Sequence, residues 1–286
     1  MSNFSRAALA STLVLSIGFA GSSSAALYDR GGGLLYDDRL NVTWLQDASF
    51  FRTQVVANPN LITEIKSASV IGSFISESDF NTTLGIMSWW GAQSWVAYLN
   101  SQNFNGYNDW RLPVINPSNG ISFNYNYSVS GSSDAGFNIT SPTSELSYMF
   151  YSNLGLKGFF GVGGEYQSDY GVQGNGTYGF GLAKNVVPVI NLEAFVYWYG
   201  TPFTRDPFAA WNFGTMDGDQ GSSSMDGKYY AWAVRDGDVA AVTVPEPSII
   251  WLFLTGFGLL AFNRGSKGRS VTSLSDSSYF RLRREH

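Results

Sequence analysis

Few residues in this chain can do chemistry near neutral pH. It contains no cysteine, and its single histidine is the last residue, His286. Thiolate nucleophiles, Cys-ligated zinc, His general bases and Ser-His-Asp triads all need a cysteine or a well-placed histidine, so these chemistries are set aside. Carboxylates and guanidinium groups remain. Between Leu27 and Val244 there are 19 Asp plus Glu against 10 Lys plus Arg, leaving about nine net negative charges. An acidic body repels phosphate backbones, which excludes nucleic acid as a partner.

Four constellations merit weighing. In Asp109-Trp110-Arg111-Leu112-Pro113, the arginine beside a tryptophan could clamp a ligand carboxylate. A helix-to-strand corner also uses charge pairs to hold its geometry, and this structural role is the expectation, with Trp110 and Trp232 in the core. Asp217, Asp219 and Asp226 are candidate calcium ligands. An EF-hand loop starting at Asp217 needs glycine at its sixth position and glutamate at its twelfth, where this chain has Ser222 and Lys228. A solvated turn is the preferred reading, since Gly and Asp are selected there anyway. Carboxylate pairs for glycoside hydrolysis exist, but none stands in a motif. Gly161-Val162-Gly163-Gly164 lacks the Lys-Ser/Thr of a phosphate loop. No catalytic residue and no cofactor is assigned, and the expectation is a protein that is not an enzyme. Exposed Trp or Tyr rings could still stack on sugars.

These residues must be positioned by elements that the pattern partly discloses. Composition is 44% hydrophobic, 16% aromatic and 14% charged with 32 glycines, which suits a folded α+β body of short strands and tight turns. Leu27 to Leu45 predicts a β-hairpin turning near Asp38 and Arg39. Phe51 to Thr83 is weakly periodic and yields no element. Ser88 is a helix cap, and Ala92, Trp95, Val96 and Leu99 recur at helical spacing up to Asn105-Gly106. Val114 to Thr140 reads as an elaborated loop. A second amphipathic helix is predicted from Ser141-Pro142, with Leu146, Met149, Phe150 and Leu154 on one face. Glycine-rich loops follow up to Lys184. Strands are predicted at Ala194–Tyr199, Ala209–Phe213 and Tyr229–Arg235, the last two paired across the turn from Gly214 to Gly227.

The two ends carry a different message. Arg6, an apolar run to Ala20 and the small residues Gly21 to Ala26 form a secretory signal peptide over 1–26, with signal peptidase cutting after Ala25 or Ala26. At the other end, Val244-Pro245-Glu246-Pro247-Ser248 precedes an apolar stretch, 249–262, and a basic cluster, 264–269, that includes Arg264. The stretch is short for a membrane helix, but it lacks a polar stripe and is closed by cations that favour the cytoplasmic side. A basic tail, 270–286, completes the sequence.

Residues 240–269 resemble the PEP-CTERM sorting signal of Gram-negative bacteria. That resemblance implies recognition of Pro245, Glu246 and Pro247 by an exosortase and transient anchoring through a C-terminal membrane helix. Release to the cell surface or the extracellular polysaccharide would follow. Three segments carry a second resemblance: Trp89, Ala92, Trp95 and Leu99; Gly106 to Pro113; and Tyr230 to Gly237. Ser144 to Leu146 and Tyr197-Trp198 also fit it. Together they are similar to the Lcl-type C-terminal domain family across 27–239. Membership implies a C-type-lectin-like fold and, in one branch, adhesion to polysaccharide. The resulting expectation is a non-catalytic matrix protein that binds or is embedded in exopolysaccharide. The alternatives are an exported carboxylate-dependent glycan hydrolase and a calcium-stabilised adhesin.

Overall fold

A computed structural model of the chain describes residues 27–68 and 74–239. The signal segment with Ala25 and Ala26, the sorting segment with Pro245, Glu246, Pro247 and Arg264, and the basic tail lie outside the described residues. Among the described residues, no helix is long and apolar enough to cross a membrane.

Strands β1 (Leu27–Gly31), β2 (Leu34–Asp37) and β3 (Val42–Leu45) form an antiparallel meander. Gly31, Gly32 and Gly33 turn the first corner in left-handed conformations that side chains rarely adopt. At the second corner, Asp37 Oδ1 accepts hydrogen bonds from Arg39 N and Leu40 N, each at 3.0 Å, which places the expected turn where the Asp-Asp signal predicts it.

The weakly periodic stretch after β3 does contain structure: helices α1 (Phe50–Ala57) and α2 (Leu61–Ala68). Only Phe51 of α1 is buried, too little for a periodic signal, whereas α2 buries Leu61, Ile62 and Ile65. A small ribbon, β4 (Phe80–Asn81) and β5 (Ile86–Met87), leads into α3 (Trp89–Ser101). The Ser88 hydroxyl accepts a hydrogen bond from Gly91 N at 3.1 Å, satisfying one of the helix's free N-terminal donors. Ala92, Trp95, Val96 and Leu99 are buried as the spacing predicts, and Trp89 and Tyr98 join them.

The second sheet has the order β10-β11-β12-β7-β6. It comprises the short parallel pair β6 (Tyr127–Ser128) and β7 (Ala135–Gly136), then β10 (Val196–Pro202), β11 (Ala209–Gly214) and β12 (Gln220–Ser224). A separate ribbon, β8 (Ala183–Val186) with β9 (Val189–Glu193), precedes β10. The final strand, β13 (Val234–Asp236), returns to the first sheet beside β3, pairing Val234 with Trp44 and Asp236 with Val42. Helices, antiparallel sheets and one shared core make the described region an α+β fold.

Two expectations are corrected. The second helix, α4 (Glu145–Tyr148), begins at Glu145 rather than at Ser141-Pro142 and continues as a wider turn over Met149–Asn153. Ser141 O accepts from Ser144 N in a tight turn, and Ser144 bridges to Ile115, so Pro142 sits ahead of the helix. Secondly, β11 pairs with β12, setting Ala209 opposite Ser224 and Phe213 opposite Gln220; Tyr229–Arg235 is not its partner. Tyr229 and Tyr230 instead make single bridges to Met87 and Tyr197. The serines of β12 give no apolar strand pattern, yet their backbone completes the ladder because alternate residues face outward.

The core is dominated by aromatic residues. Trp44, Trp95, Trp198, Trp211, Trp232, Tyr197, Tyr199 and Tyr230 are all fully buried. Such rings bring polar atoms inside, and most find partners: Trp198 Nε1 donates to Met87 O at 2.9 Å and Trp232 Nε1 to Leu45 O at 2.6 Å.

Candidate functional site

The Asp109–Pro113 segment is a clasp. Arg111 pairs with Val234 through both backbone groups, at 2.8 and 2.9 Å, tying the corner after α3 to β13. Its guanidinium donates to Glu145 Oε1 and Oε2, each at 2.8 Å, to Asp236 Oδ1 at 2.6 and 3.0 Å, and to Leu112 O at 3.1 Å. All five donors are thereby used, so a ligand carboxylate has nothing left to bind. Asp109 in turn accepts two bonds at 2.8 Å from Arg235, whose guanidinium lies 4.1 Å from the Tyr107 ring centre. Trp110 is buried and donates to Phe104 O at 3.0 Å; Leu112 is buried, and Pro113 O accepts from Gly200 N at 2.7 Å. The motif that most resembles a ligand site is structural.

The carboxylates Asp217, Asp219 and Asp226 do not converge. Asp217 and Asp219 lie on the turn joining β11 to β12, whereas Asp226 follows the far end of β12. No group of three or more acidic or histidine side chains suited to a metal ion occurs among the described residues. Asp217 Oδ1 accepts from Asp219 N at 3.1 Å, the local closure of an Asx turn. Burial pushes the Asp219 carboxyl up to about 6; the Tyr127 hydroxyl opposes this and the neighbouring Asp217 adds to it. Burial also raises Asp217.

Around this turn runs a chain of aromatic rings. Tyr127 contacts Phe137 at 6.0 Å between centres, Phe137 contacts Phe160 at 5.3 Å, and Phe160 contacts Phe159 at 4.7 Å. Phe159 then meets Tyr166 at 5.1 Å and Tyr170 at 4.9 Å. Tyr127 and Tyr166 are 61% and 59% exposed, so they present ring surface to solvent although their neighbours are partly or fully covered. Phe159 N donates to Asp217 O at 2.6 Å, fixing the aromatic loop to the acidic turn.

A concavity of about 320 Å³ lies between α1 and the β8–β9 ribbon. Ser49, Arg52, Thr53 and Val56 line one wall, and Ala183, Asn191 and Glu193 the other. Glu193 is fully buried; its Oε1 accepts from Arg52 Nη1 at 3.1 Å. The Tyr230 hydroxyl also faces the Glu193 carboxylate, and the Tyr197 hydroxyl faces Ser49. Burial raises the Glu193 carboxyl above its ordinary range, opposed by the Arg52 charge and the Tyr230 hydroxyl. Sequence reasoning missed this pocket. Its one legible trace is a lone carboxylate, Glu193, set in the apolar run from Val189 to Trp198.

The chain matches no protein-family model, no curated protein and no solved structure. Fold and sites together define an α+β domain whose Asp109–Pro113 motif is spent on an internal clasp and whose concavities are lined by hydroxyl, amide and carboxyl groups.

Proposed function

We propose that this is an exported, non-catalytic cell-surface or matrix protein whose lectin-like domain binds exopolysaccharide. The resemblance of its ends to a signal peptide and a PEP-CTERM signal supplies the destination, with signal peptidase and an exosortase as processing partners and the membrane as a transient anchor. The observation that carries binding is the aromatic chain from Tyr127 to Tyr166, exposed at these two tyrosines and adjoining the Asp217–Asp219 turn. Sugar rings present a C–H face to an aromatic plane and hydroxyls to neighbouring carboxylates, and this surface offers both.

A hydrolase is the second reading, favoured by Asp219 being held near 6, where a general acid would titrate. Carboxylate-dependent hydrolysis also needs a partner kept ionised, whereas Asp217 is raised too. The two acids are pushed the same way, which supports binding over turnover.

Affinity electrophoresis of the purified full chain in gels cast with the producing organism's exopolysaccharide tests the reading. Retardation that falls with Tyr166→Ala and Tyr127→Ala, with no shortening of the polymer, is expected. Mobility unaffected by polymer would overturn it, and polymer shortening abolished by Asp219→Asn would establish the hydrolase.

A further inference from the structure

Arg205 is placed differently from the other arginines of the body. Arg30 pairs with Asp238, Arg52 with Glu193, Arg111 with Glu145 and Asp236, and Arg235 with Asp109, while Arg39 faces the Tyr148 hydroxyl. Arg205 is exposed on the loop joining β10 to β11 and makes neither a hydrogen bond nor an ion pair with a described residue. Its guanidinium carbon lies 4.0 Å from the centre of the Tyr125 ring.

That ring is anchored in the core. Tyr125 stacks on the fully buried Trp211, with 5.9 Å between centres and 10° between planes, and Phe203 meets the two rings edge-on at 5.2 and 4.9 Å. The Tyr125 and Thr204 hydroxyls share a hydrogen bond, so ring and loop hold each other. Asp206 N donates to Phe203 O at 3.0 Å and Phe203 N to Ala209 O at 2.8 Å, which closes the loop on itself. A ring face attracts the cation but offers no lone pair, so the guanidinium is positioned while its N–H donors keep no acceptor among the described residues.

A planar fork of donors fits an acceptor with two oxygens in one plane, a carboxylate, and the chain itself uses this geometry where Arg111 meets Glu145. Phe208, 77% exposed, and Ile121, 88% exposed, lie on the two segments that carry Arg205 and Tyr125, and such apolar surface suits the C–H face of a sugar ring. The adjacent acid, Asp206, has its Oδ1 engaged by Phe208 N at 2.9 Å. The acidic body does not oppose a single carboxylate here, because interactions between exposed charges fade beyond about 8 Å at physiological ionic strength. One fork neutralises one acidic sugar, whereas a nucleic acid needs several phosphates neutralised together.

We infer that Arg205, held on the Tyr125–Trp211 stack, is a subsite for the carboxylate of a uronic acid unit in an acidic polysaccharide, taken by two parallel N–H···O bonds. This rests on the polysaccharide-binding reading and names the ligand class, and it involves none of the rings from Tyr127 to Tyr166.

Calorimetric titration of the purified full chain tests the inference with four probes: an oligosaccharide containing glucuronic acid, the same oligosaccharide with its carboxyl reduced to an alcohol, an acidic peptide of equal charge, and inorganic phosphate. Saturable binding of the acidic oligosaccharide is expected, lost on reduction and weakened about tenfold or more by Arg205→Gln. Arg205→Lys keeps the charge without the fork and should still bind more weakly than wild type. Because Arg205 is exposed and bonds to no described residue, both variants should keep the wild-type melting temperature. No saturable binding, equal binding of the reduced form, the peptide or phosphate, or either variant binding as wild type would each overturn the inference. If exopolysaccharide retards the chain while the acidic oligosaccharide does not bind, the subsite fails and the matrix reading stands. If neither binds, both fail.

Discussion

Arg111 meets Glu145 side-on, Nη1 to Oε2 and Nη2 to Oε1, both at 2.8 Å, across 34 residues of sequence. The carboxylate also accepts from Val114 N at 2.7 Å, so one ion pair locks the corner after α3, the start of α4 and, through Asp236, the last strand. Glu145 is only 8% exposed at its side chain, so Arg111 is the counter-charge that its burial requires.

Arg111→Met leaves that carboxylate buried and unpaired. A loss of about 3 to 5 kcal/mol is expected, read as a fall in the urea midpoint at pH 7. Asp236→Asn, at an acceptor 77% exposed, should cost under about 1 kcal/mol. Equal effects from the two variants would contradict the ranking.

The acidic turn sets a pH dependence. In the folded chain Asp219 holds its proton up to about pH 6, above the value near 4 of an unfolded aspartate, so the native state binds more protons in between. This contribution is fully present below about pH 4 and is lost as the pH rises through about 6. Thermal melts should therefore show stability falling from pH 4.5 to 6.5, an interval of about two units. Asp219→Asn should flatten that slope, leaving the part due to Asp217 and Glu193, and raise stability at pH 7 by about 1 to 2 kcal/mol, since Asp219 Oδ1 has no partner. A steeper slope in the variant would refute the assignment.

Gly218 separates those two acids at φ +83, and a Cβ there would lie 2.3 Å from the Tyr151 hydroxyl and 2.9 Å from Gly158 Cα. Gly218→Ala adds backbone strain to a clash and should cost more than about 1 kcal/mol. Gly32→Ala meets nothing within 4 Å and should pay only for its left-handed φ of +62. Comparing the two melting temperatures isolates the clash.

The sorting proposal is checked by mass spectrometry of both ends of the exported protein. The expected termini are Ala26 or Leu27 at the front and a residue upstream of Arg264 at the back, with Pro245→Ala or Glu246→Ala retaining the tail. A wild-type protein that still carries Arg264 would refute processing.

Local information made a good part of this molecule legible. Ser88 and the buried spacing of Ala92, Trp95 and Leu99 specify α3, and the Asp37-Asp38 turn specifies the β2–β3 hairpin, because caps and turns act within a few residues. The corner role of Arg111 was also readable, since an arginine beside a core tryptophan must be paired.

Pairing over distance was not readable. Arg111 finds Asp236 across 125 residues, and of the Tyr229–Arg235 run, apolar enough for any strand, only Val234 and Arg235 join β3, while β12 fills the edge of β11. The Glu193 pocket is the extreme case. By itself the sequence determined the lack of cysteine and the single histidine, the acidic body, the caps and turns, and the motifs at the ends, all properties of residue type or short spacing. Only the tertiary structure decided that every Arg111 donor is consumed, that Asp226 stands apart from Asp217 and Asp219, and that Glu193 is fully buried against Arg52. Each of these depends on which distant segments exclude water together, and burial is a property of the packed chain, not of any window along it.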